Sequence, residues 1–476
     1  MSKNSINRRD FLTSAAVMGA AGTLGAGALL TSCGGPKVPA LVPLKPEAEW
    51  NIPKLQAGGA LPDKATDGAE LKVGLVGCGG QGTGDLRCLL NAANGIKVVA
   101  LGDTFMDRIN NCRKMLKDTF NTEVPDNMCF TGFDAYQKVI GAGVDLVMFV
   151  TPPGFRPLHF KAAVAAGKHV FMEKPLCVDP VGARSIMATA KQAEAQGLCV
   201  VTGTQRHHQR SYIEGYKQIQ SGLIGEIVGG QVYWNQSQLW FRLKDKSWTD
   251  MEWMIRDWVN WTWLSGDHIV EQHVHNIDVF NWFSGLRPEK ALAFGARHRR
   301  VTGDQYDMFG VDYTYQGGIH VHSMCRQING CANNVSERIQ GTKGIWTSNG
   351  VITDLKGNEL WKYDAEKEKA DFQQSDPYTL ELVNLVNHIR SKKSINQAEE
   401  TAIATLTAIM GRLSAYTGLE VTWDQIMASD MNLVPENLEL KNMDMSQYPI
   451  PVPGTENAPP RPPRPDRPAT APAATN

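Results

Sequence analysis

Leu71-Lys72-Val73-Gly74-Leu75-Val76-Gly77-Cys78-Gly79-Gly80-Gln81-Gly82 runs from an apolar, β-branched stretch straight into a glycine-rich turn. A strand that turns through such glycines into a helix lets the backbone approach a pyrophosphate, whose charge then sits at the helix N-terminus. The next apolar run, Ile96–Leu101, ends in Gly102-Asp103. That acid stands about 20 residues beyond the last glycine, where a carboxylate can bind an adenosine ribose diol. Gly77, Gly79, Gly80, Gln81, Gly82 and Asp103 are therefore candidate dinucleotide ligands. Asp103 would repel a 2′-phosphate, so NAD is expected over NADP. The competing reading is a purely structural strand–helix turn.

The pattern around this stretch supports a nucleotide fold. Short apolar runs at Leu71–Val76, Val98–Leu101, Asp145–Val150, His169–Met172 and Leu198–Thr202 alternate with helical segments such as Arg156–Ala166 and Pro180–Gln196. Such alternation predicts an α/β domain, a doubly wound parallel sheet covered on both faces, over residues 70–202. After Thr202 the runs Ile227–Trp234, Lys290–His298, Asp307–Tyr315, Gly318–Cys325 and Val335–Gly341 read as an open, mainly antiparallel sheet. One helix, around Asp267–Phe283, interrupts them. Tyr378–Ser391 and Thr401–Thr417 read as helices that return to the first domain, closing a second α/β domain over 203–430. Residues 446–476 form a Pro-rich tail, disordered or draped on the surface.

The N-terminus carries Asn7-Arg8-Arg9-Asp10-Phe11-Leu12 and then a small, Gly/Ala-rich apolar run to Leu30. This resembles a twin-arginine export signal, the route taken by proteins already folded. Leu30-Thr31-Ser32-Cys33 resembles a lipoprotein cleavage box, so residues 1–33 are expected to be removed up to a lipid-bearing Cys33. Residues 34–69 read as a tether. The expected location is the periplasmic side of the cell envelope, with membrane contact only through the lipid; a transmembrane anchor is the rival, though the run is short and weakly apolar. Because free NAD is scarce outside the cytoplasm, a nucleotide exported in this way would be tightly bound and recycled in place. The charge balance, 48 Lys and Arg against 49 Asp and Glu, gives a net −1 and argues against nucleic-acid binding.

Two stretches could carry chemistry. Glu173-Lys174-Pro175 follows the run His169–Met172, at the carboxyl edge of the sheet where α/β ligands bind. A lysine there can hold a substrate hydroxyl and relay its proton. In Asp267-His268-Ile269-Val270-Glu271-Gln272-His273-Val274-His275-Asn276-Ile277-Asp278, a continuous helix would put Glu271 and His275 on one face, with His268 a turn earlier. A carboxylate beside an imidazole supports a proton acceptor for a carbinol losing hydride. The same three side chains could instead hold zinc, or satisfy one another at a domain interface.

The glycine loop, Asp103, Thr151-Pro152 with His159, Ala166-Gly167-Lys168-His169-Val170, Glu173-Lys174-Pro175 and Glu271…His275-x-Ile277-Asp278 occur together, and in this order the chain resembles the glucose–fructose oxidoreductase/inositol dehydrogenase (Gfo/Idh/MocA) family over residues 70 to about 420. The resemblance implies a Rossmann domain joined to an open-faced α/β domain, and oxidation or reduction of a ring carbon of a sugar or cyclitol. It implies that Lys174 and His275 are catalytic with Glu271 as the acidic partner. It adds Thr151, Pro152, His159, Glu173 and Lys174 to the cofactor contacts. Two departures stand out. Glu271 replaces the aspartate of many relatives, and His273 replaces a usual glycine, implying a bulkier wall.

Thr204-Gln205-Arg206-His207-His208-Gln209 follows the fifth core run, so Arg206 and His207 are substrate candidates or members of a solvated loop. Seven of the twelve tryptophans lie between 234 and 263. Aromatic faces stack on pyranose C–H surfaces, which makes Trp240 and Arg242 candidates for substrate binding, with most of the other tryptophans structural. The leading expectation is an NAD-dependent oxidoreductase acting on a small carbohydrate. A redox-neutral glycoside hydrolase or lyase of the same family and a non-catalytic sugar binder are the alternatives. The open sheet implies a homo-oligomer, dimer or tetramer.

Overall fold

The computed structural model describes residues 61–454. The export signal, Cys33 and most of the expected tether lie outside them, as does the tail beyond Gly454. Strands β1 (Leu71–Val76), β2 (Ile96–Asp103), β3 (Cys129–Thr131), β4 (Leu146–Phe149), β5 (His169–Met172) and β6 (Val200–Thr202) form one parallel sheet in the order β3-β2-β1-β4-β5-β6. The order reverses between β1 and β4, which opens a crevice at the carboxyl ends of the strands. Strands β4 and β6 are buried throughout, as sheets covered on both faces require.

Helices α1 (Gly80–Ala92), α2 (Met106–Phe120), α3 (Ala135–Gly141), α4 (Arg156–Ala165) and α5 (Pro180–Ala195) cover this sheet. After α6 (Arg210–Gln220) the chain enters a nine-stranded sheet. Its strands are β7 (Ile227–Gln236), β8 (Pro288–Ala296), β9 (Met308–Tyr315), β10 (Ile319–Gln327), β11 (Asn334–Gly341), β12 (Gly344–Thr347), β13 (Val351–Asp354), β14 (Glu359–Lys362) and β15 (Val421–Thr422). The order is β14-β13-β12-β11-β7-β10-β9-β8-β15, antiparallel except where β7 lies parallel to β10. The short strands β3 and β12–β15 carry no long apolar run and go beyond the sequence reading.

The expected single helix over Asp267–Phe283 is two pieces. A turn, His268–Glu271, stops at Gln272 (φ −116°, ψ −49°), and α8 (Val274–Ser284) begins behind His273. Helices α9 (Pro377–Ser391) and α10 (Ala398–Thr417) return to the first domain. Leu382, Val383 and Val386 of α9 share a core with Leu86 and Leu89 of α1. Helix α10 is buried along nearly its whole length, and Arg412 within it donates to Gly266 O (2.7 Å) and Val178 O (2.8 Å), joining the two domains.

Two segments expected to be loose are anchored where they are described. Ala65 is buried and its N–H donates to Ala92 O at 2.7 Å. Near the other end, Tyr448 packs edge-on against Trp261, and Pro451 O accepts from Tyr306 Oη at 2.9 Å.

Candidate active site

A cavity of about 600 Å³ opens at the sheet reversal, between the two domains. Its first wall is backbone. Gly77 has φ +97°, a conformation that favours glycine, and a Cβ on Gly82 would stand 1.9 Å from Gly77 O. Only glycines let α1 start this close to β1. A Cβ on Gly79 would meet no atom within 4 Å, so the loop faces open space. The first turn of α1 has no side-chain cap and no acidic residue, which leaves its N–H groups for an anion.

Asp103, at the end of β2, accepts from Cys78 N (2.7 Å) and Phe105 N (3.0 Å), which fixes the carboxylate beside the loop. Thr151, Pro152 and His159 line the same cavity. Burial, with the Arg156 charge nearby, pushes the His159 imidazole down to about 3. It is therefore a neutral ring, stacked on Tyr136 and 3.2 Å from Thr151 Oγ1. A bare helix N-terminus, a fixed carboxylate at the end of β2 and a crevice lined by both domains together fit a dinucleotide.

The second wall is made of side chains. Lys174 Nζ donates to Glu271 O at 2.7 Å and to Glu271 Oε1 at 3.2 Å, across the domain boundary. His275 lines the same end of the cavity and stacks on Trp234, centroids 5.5 Å apart. Burial holds the imidazole well below the usual histidine range, and the positive charges of Lys174 and Arg206 add to the effect. Glu173 is buried behind the lysine and accepts Lys174 N at 2.9 Å. Burial raises the Glu173 carboxyl despite the Lys174 and Arg156 charges.

This arrangement corrects the expected Glu271–His275 pairing. The chain breaks at Gln272-His273, so the Glu271 carboxylate turns to Lys174 instead of holding the imidazole. His268 turns away as well, with Nδ1 3.0 Å from Asp267 Oδ1, so the three-residue zinc arrangement is not assembled. His273 does not form a cavity wall. It is buried, with Nε2 2.7 Å from Ser323 Oγ on β10.

Fifteen residues singled out from the sequence line this one cavity: Gly77, Gly79, Gly80, Gln81, Gly82, Asp103, Thr151, Pro152, His159, Glu173, Lys174, Glu271, His275, Trp240 and Arg242. Arg206 and His207 do not. Arg206 is ion-paired with buried Glu337, its guanidinium 5.7 Å from the Trp234 ring centroid, one layer behind the site. His207 Nε2 lies 2.6 Å from Asp278 Oδ2 and the ring stacks on Trp282. Burial opposes its charged form, but Asp278 overrides burial and raises the imidazole.

Three lining residues carried no sequence signal of their own: Gln272, Arg108 and Arg256. Arg256 ends the short helical turn α7 (Asp250–Arg256), on the Phe105 side of the cavity. Its guanidinium lies 3.8 Å from the Phe105 ring centroid and 3.3 Å from both Asp107 carboxylate oxygens. The C-terminal segment braces that turn through Met251 N to Lys441 O (3.1 Å) and Met443 N to Asp250 Oδ2 (3.1 Å). Of the clustered tryptophans, Trp234, Trp240 and Trp258 reach the cavity, while Trp261 and Trp263 are core.

Comparison with known proteins agrees with this architecture. Residues 71–203 match the family described as oxidoreductase family, NAD-binding Rossmann fold, and residues 214–347 match the GFO/IDH/MocA C-terminal domain. Residues 5–25 match the twin-arginine translocation signal sequence. Inositol 2-dehydrogenase 1 of Saccharopolyspora erythraea is 29% identical over 206 residues, covering 43% of this chain and 57% of the relative. A glycosyl hydrolase family 109 protein of Shewanella amazonensis is 26% identical over 173 residues, 36% of this chain and 37% of that protein. The chain thus spans little more than half the length of the curated relatives it matches. Among solved structures, scyllo-inositol dehydrogenase from Lactobacillus casei, with bound NAD(H) and scyllo-inositol, superposes with a TM-score of 0.56. It is 19% identical, and the match covers 74% of this chain and 99% of that one. Among the described residues no helix is long and apolar enough to cross a membrane.

Proposed function

The chain belongs to the GFO/IDH/MocA oxidoreductase family, and we propose that it oxidises or reduces a secondary carbinol of a sugar, glycoside or cyclitol, using NAD that it holds tightly. Bound in the crevice, NAD supplies the hydride acceptor. Gly77, Gly79, Gly80, Gln81 and Gly82 with the α1 N-terminus would hold its pyrophosphate, and Asp103 its ribose. The protein's own residues then handle a proton. Two of the three N–H groups of Lys174 are committed to Glu271, which leaves one for the carbinol oxygen. The neutral His275 ring accepts the carbinol proton while the lysine charge steadies the oxygen. Glu271 positions Lys174. The observation that carries this reading is one cavity lined jointly by the glycine loop, Lys174 and His275.

Tight retention of the nucleotide is supported by Arg256 lying across Phe105 and Asp107, and by the twin-arginine signal over residues 5–25. On this reading the protein crosses the membrane folded, remains on the periplasmic side and is tethered through lipid on Cys33. A homo-oligomer, dimer or tetramer, is supported by the open face of the second sheet. There Phe294, Gly310, Met324 and Tyr233 lie in register across four strands, and Phe294 is 79% exposed.

The test starts with protein purified from envelope fractions. Its nucleotide is released by denaturation and identified by mass, and intact holoenzyme is offered a panel of inositols and methyl hexopyranosides. NAD recovered in near-equimolar amount, and converted to NADH by one polyol, is the expected result. Protein that carries no nucleotide and works only with added NAD refutes tight binding; no response to any polyol refutes the carbinol chemistry. The match to a glycosyl hydrolase family 109 protein favours one second reading, a redox-neutral cleavage in which hydride returns to the sugar. Release of free methanol from a methyl glycoside, with no keto-glycoside, would identify it.

A further inference from the structure

Gln272 occupies the break between the turn His268–Glu271 and α8, and its side chain lines the cavity beside His275. Its amide orientation is decided by chemistry. The indole N–H of Trp234, which can only donate, goes to Gln236 Oε1 at 2.8 Å. Gln236 must then present Nε2, which donates to Gln272 Oε1 at 2.6 Å. On the other side the Arg300 guanidinium, also donor-only, goes to Gln327 Oε1 at 2.7 Å, and Gln327 Nε2 donates to Gln272 Oε1 at 2.9 Å. Two fixed donors converge on one oxygen, so that atom is the carbonyl and the flip is settled from both ends. Gln272 Nε2 is left with two N–H groups. It has no partner among the described residues, and it is not one of the buried atoms that lack one. An accessible amide donor pair beside an acid–base pair awaits an acceptor.

We propose that Gln272 Nε2 is a specificity-determining contact, donating to the hydroxyl oxygen on a carbon next to the reacting carbinol. The inference rests on the carbinol chemistry given above and adds which hydroxyl-reading group the site uses. Gln236 and Gln327 are its positioning residues. A site built to hydrogen-bond a hydroxyl discriminates strongly against the analogue that lacks it, because its own polar group is then unpaired.

The probes are myo-inositol, scyllo-inositol and methyl β-D-glucopyranoside with their monodeoxy analogues, each offered to holoenzyme of known nucleotide content. Wild type is expected to lose about tenfold or more in kcat/KM on one monodeoxy analogue of its active polyol. Gln272→Leu should lose a similar factor on the parent polyol and nothing further on that analogue. The Gln272→Leu enzyme should also retain the wild-type nucleotide content, which separates a lost substrate contact from a lost fold. A Gln272→Leu enzyme that separates parent from analogue as wild type does overturns the proposal while leaving the carbinol chemistry standing. Wild type inert toward every probe removes both.

Discussion

The two walls of the cavity are built on opposite principles. The wall around Gly77–Gly82 presents backbone, and Gly77 and Gly82 are glycines because a Cβ on either would collide with other backbone. The wall around Lys174, Glu271, Gln272 and His275 presents side chains, each held by a group remote from it along the chain. A backbone wall fails all at once when a Cβ is added. A side-chain wall fails in graded steps, since Lys174 and Gln272 each have two supports.

The sharpest way to break this contrast is Gly82→Val, which forces carbon into Gly77 O and should abolish nucleotide retention, read by mass after denaturation. Nucleotide content equal to wild type would show that the loop does not hold the cofactor. Lys174→Met should keep the nucleotide and lower kcat by about 10³-fold, the middle of the range for one acid–base group. Glu271→Gln should cost about tenfold in kcat, because Glu271 O still holds Lys174 when the charge is gone. A loss equal to that of Lys174→Met would mean that the carboxylate acts on substrate directly.

The pH profile sharpens the same wall. On the proposed chemistry His275 works as the neutral ring, and burial holds it below the ordinary 6.5. As pH falls through 6.5, kcat/KM should therefore stay on its plateau and be lost only further down. An ordinary histidine would already be about tenfold down one pH unit lower, so an acid limb at 6.5 would rule out this base. The smallest effect is expected at Trp240, where Trp240→Ala should raise KM about fivefold with kcat unchanged, as loss of one aromatic contact implies.

The two walls also differed in how legible they were. The bounds of β1 and β5, the glycine loop and the carboxylate at Asp103 follow from local pattern, because an apolar run and a glycine turn are decided within a dozen residues. The break at Gln272-His273 is decided elsewhere. His273 is drawn to Ser323, and Gln272 to Gln236 and Gln327, partners 36 to 55 residues away along the chain. Helix periodicity is blind to such pulls, so Glu271 was placed beside His275 instead of Lys174. Arg206 and His207 misled for the same reason. A polar loop at a strand end looks ligand-facing until Glu337 and Asp278, both remote in sequence, turn up as partners.

The return of α9 and α10 across both sheets has a consequence for biosynthesis. The face of α1 is covered by residues near 385, and Arg412 ties Gly266 to Val178. A nascent chain therefore leaves the ribosome with α1 uncovered and the two domains untied until residues 385–412 have emerged. A chain cut before α9 therefore keeps its glycine loop yet lacks both the cover over α1 and the Arg412 tie between the domains.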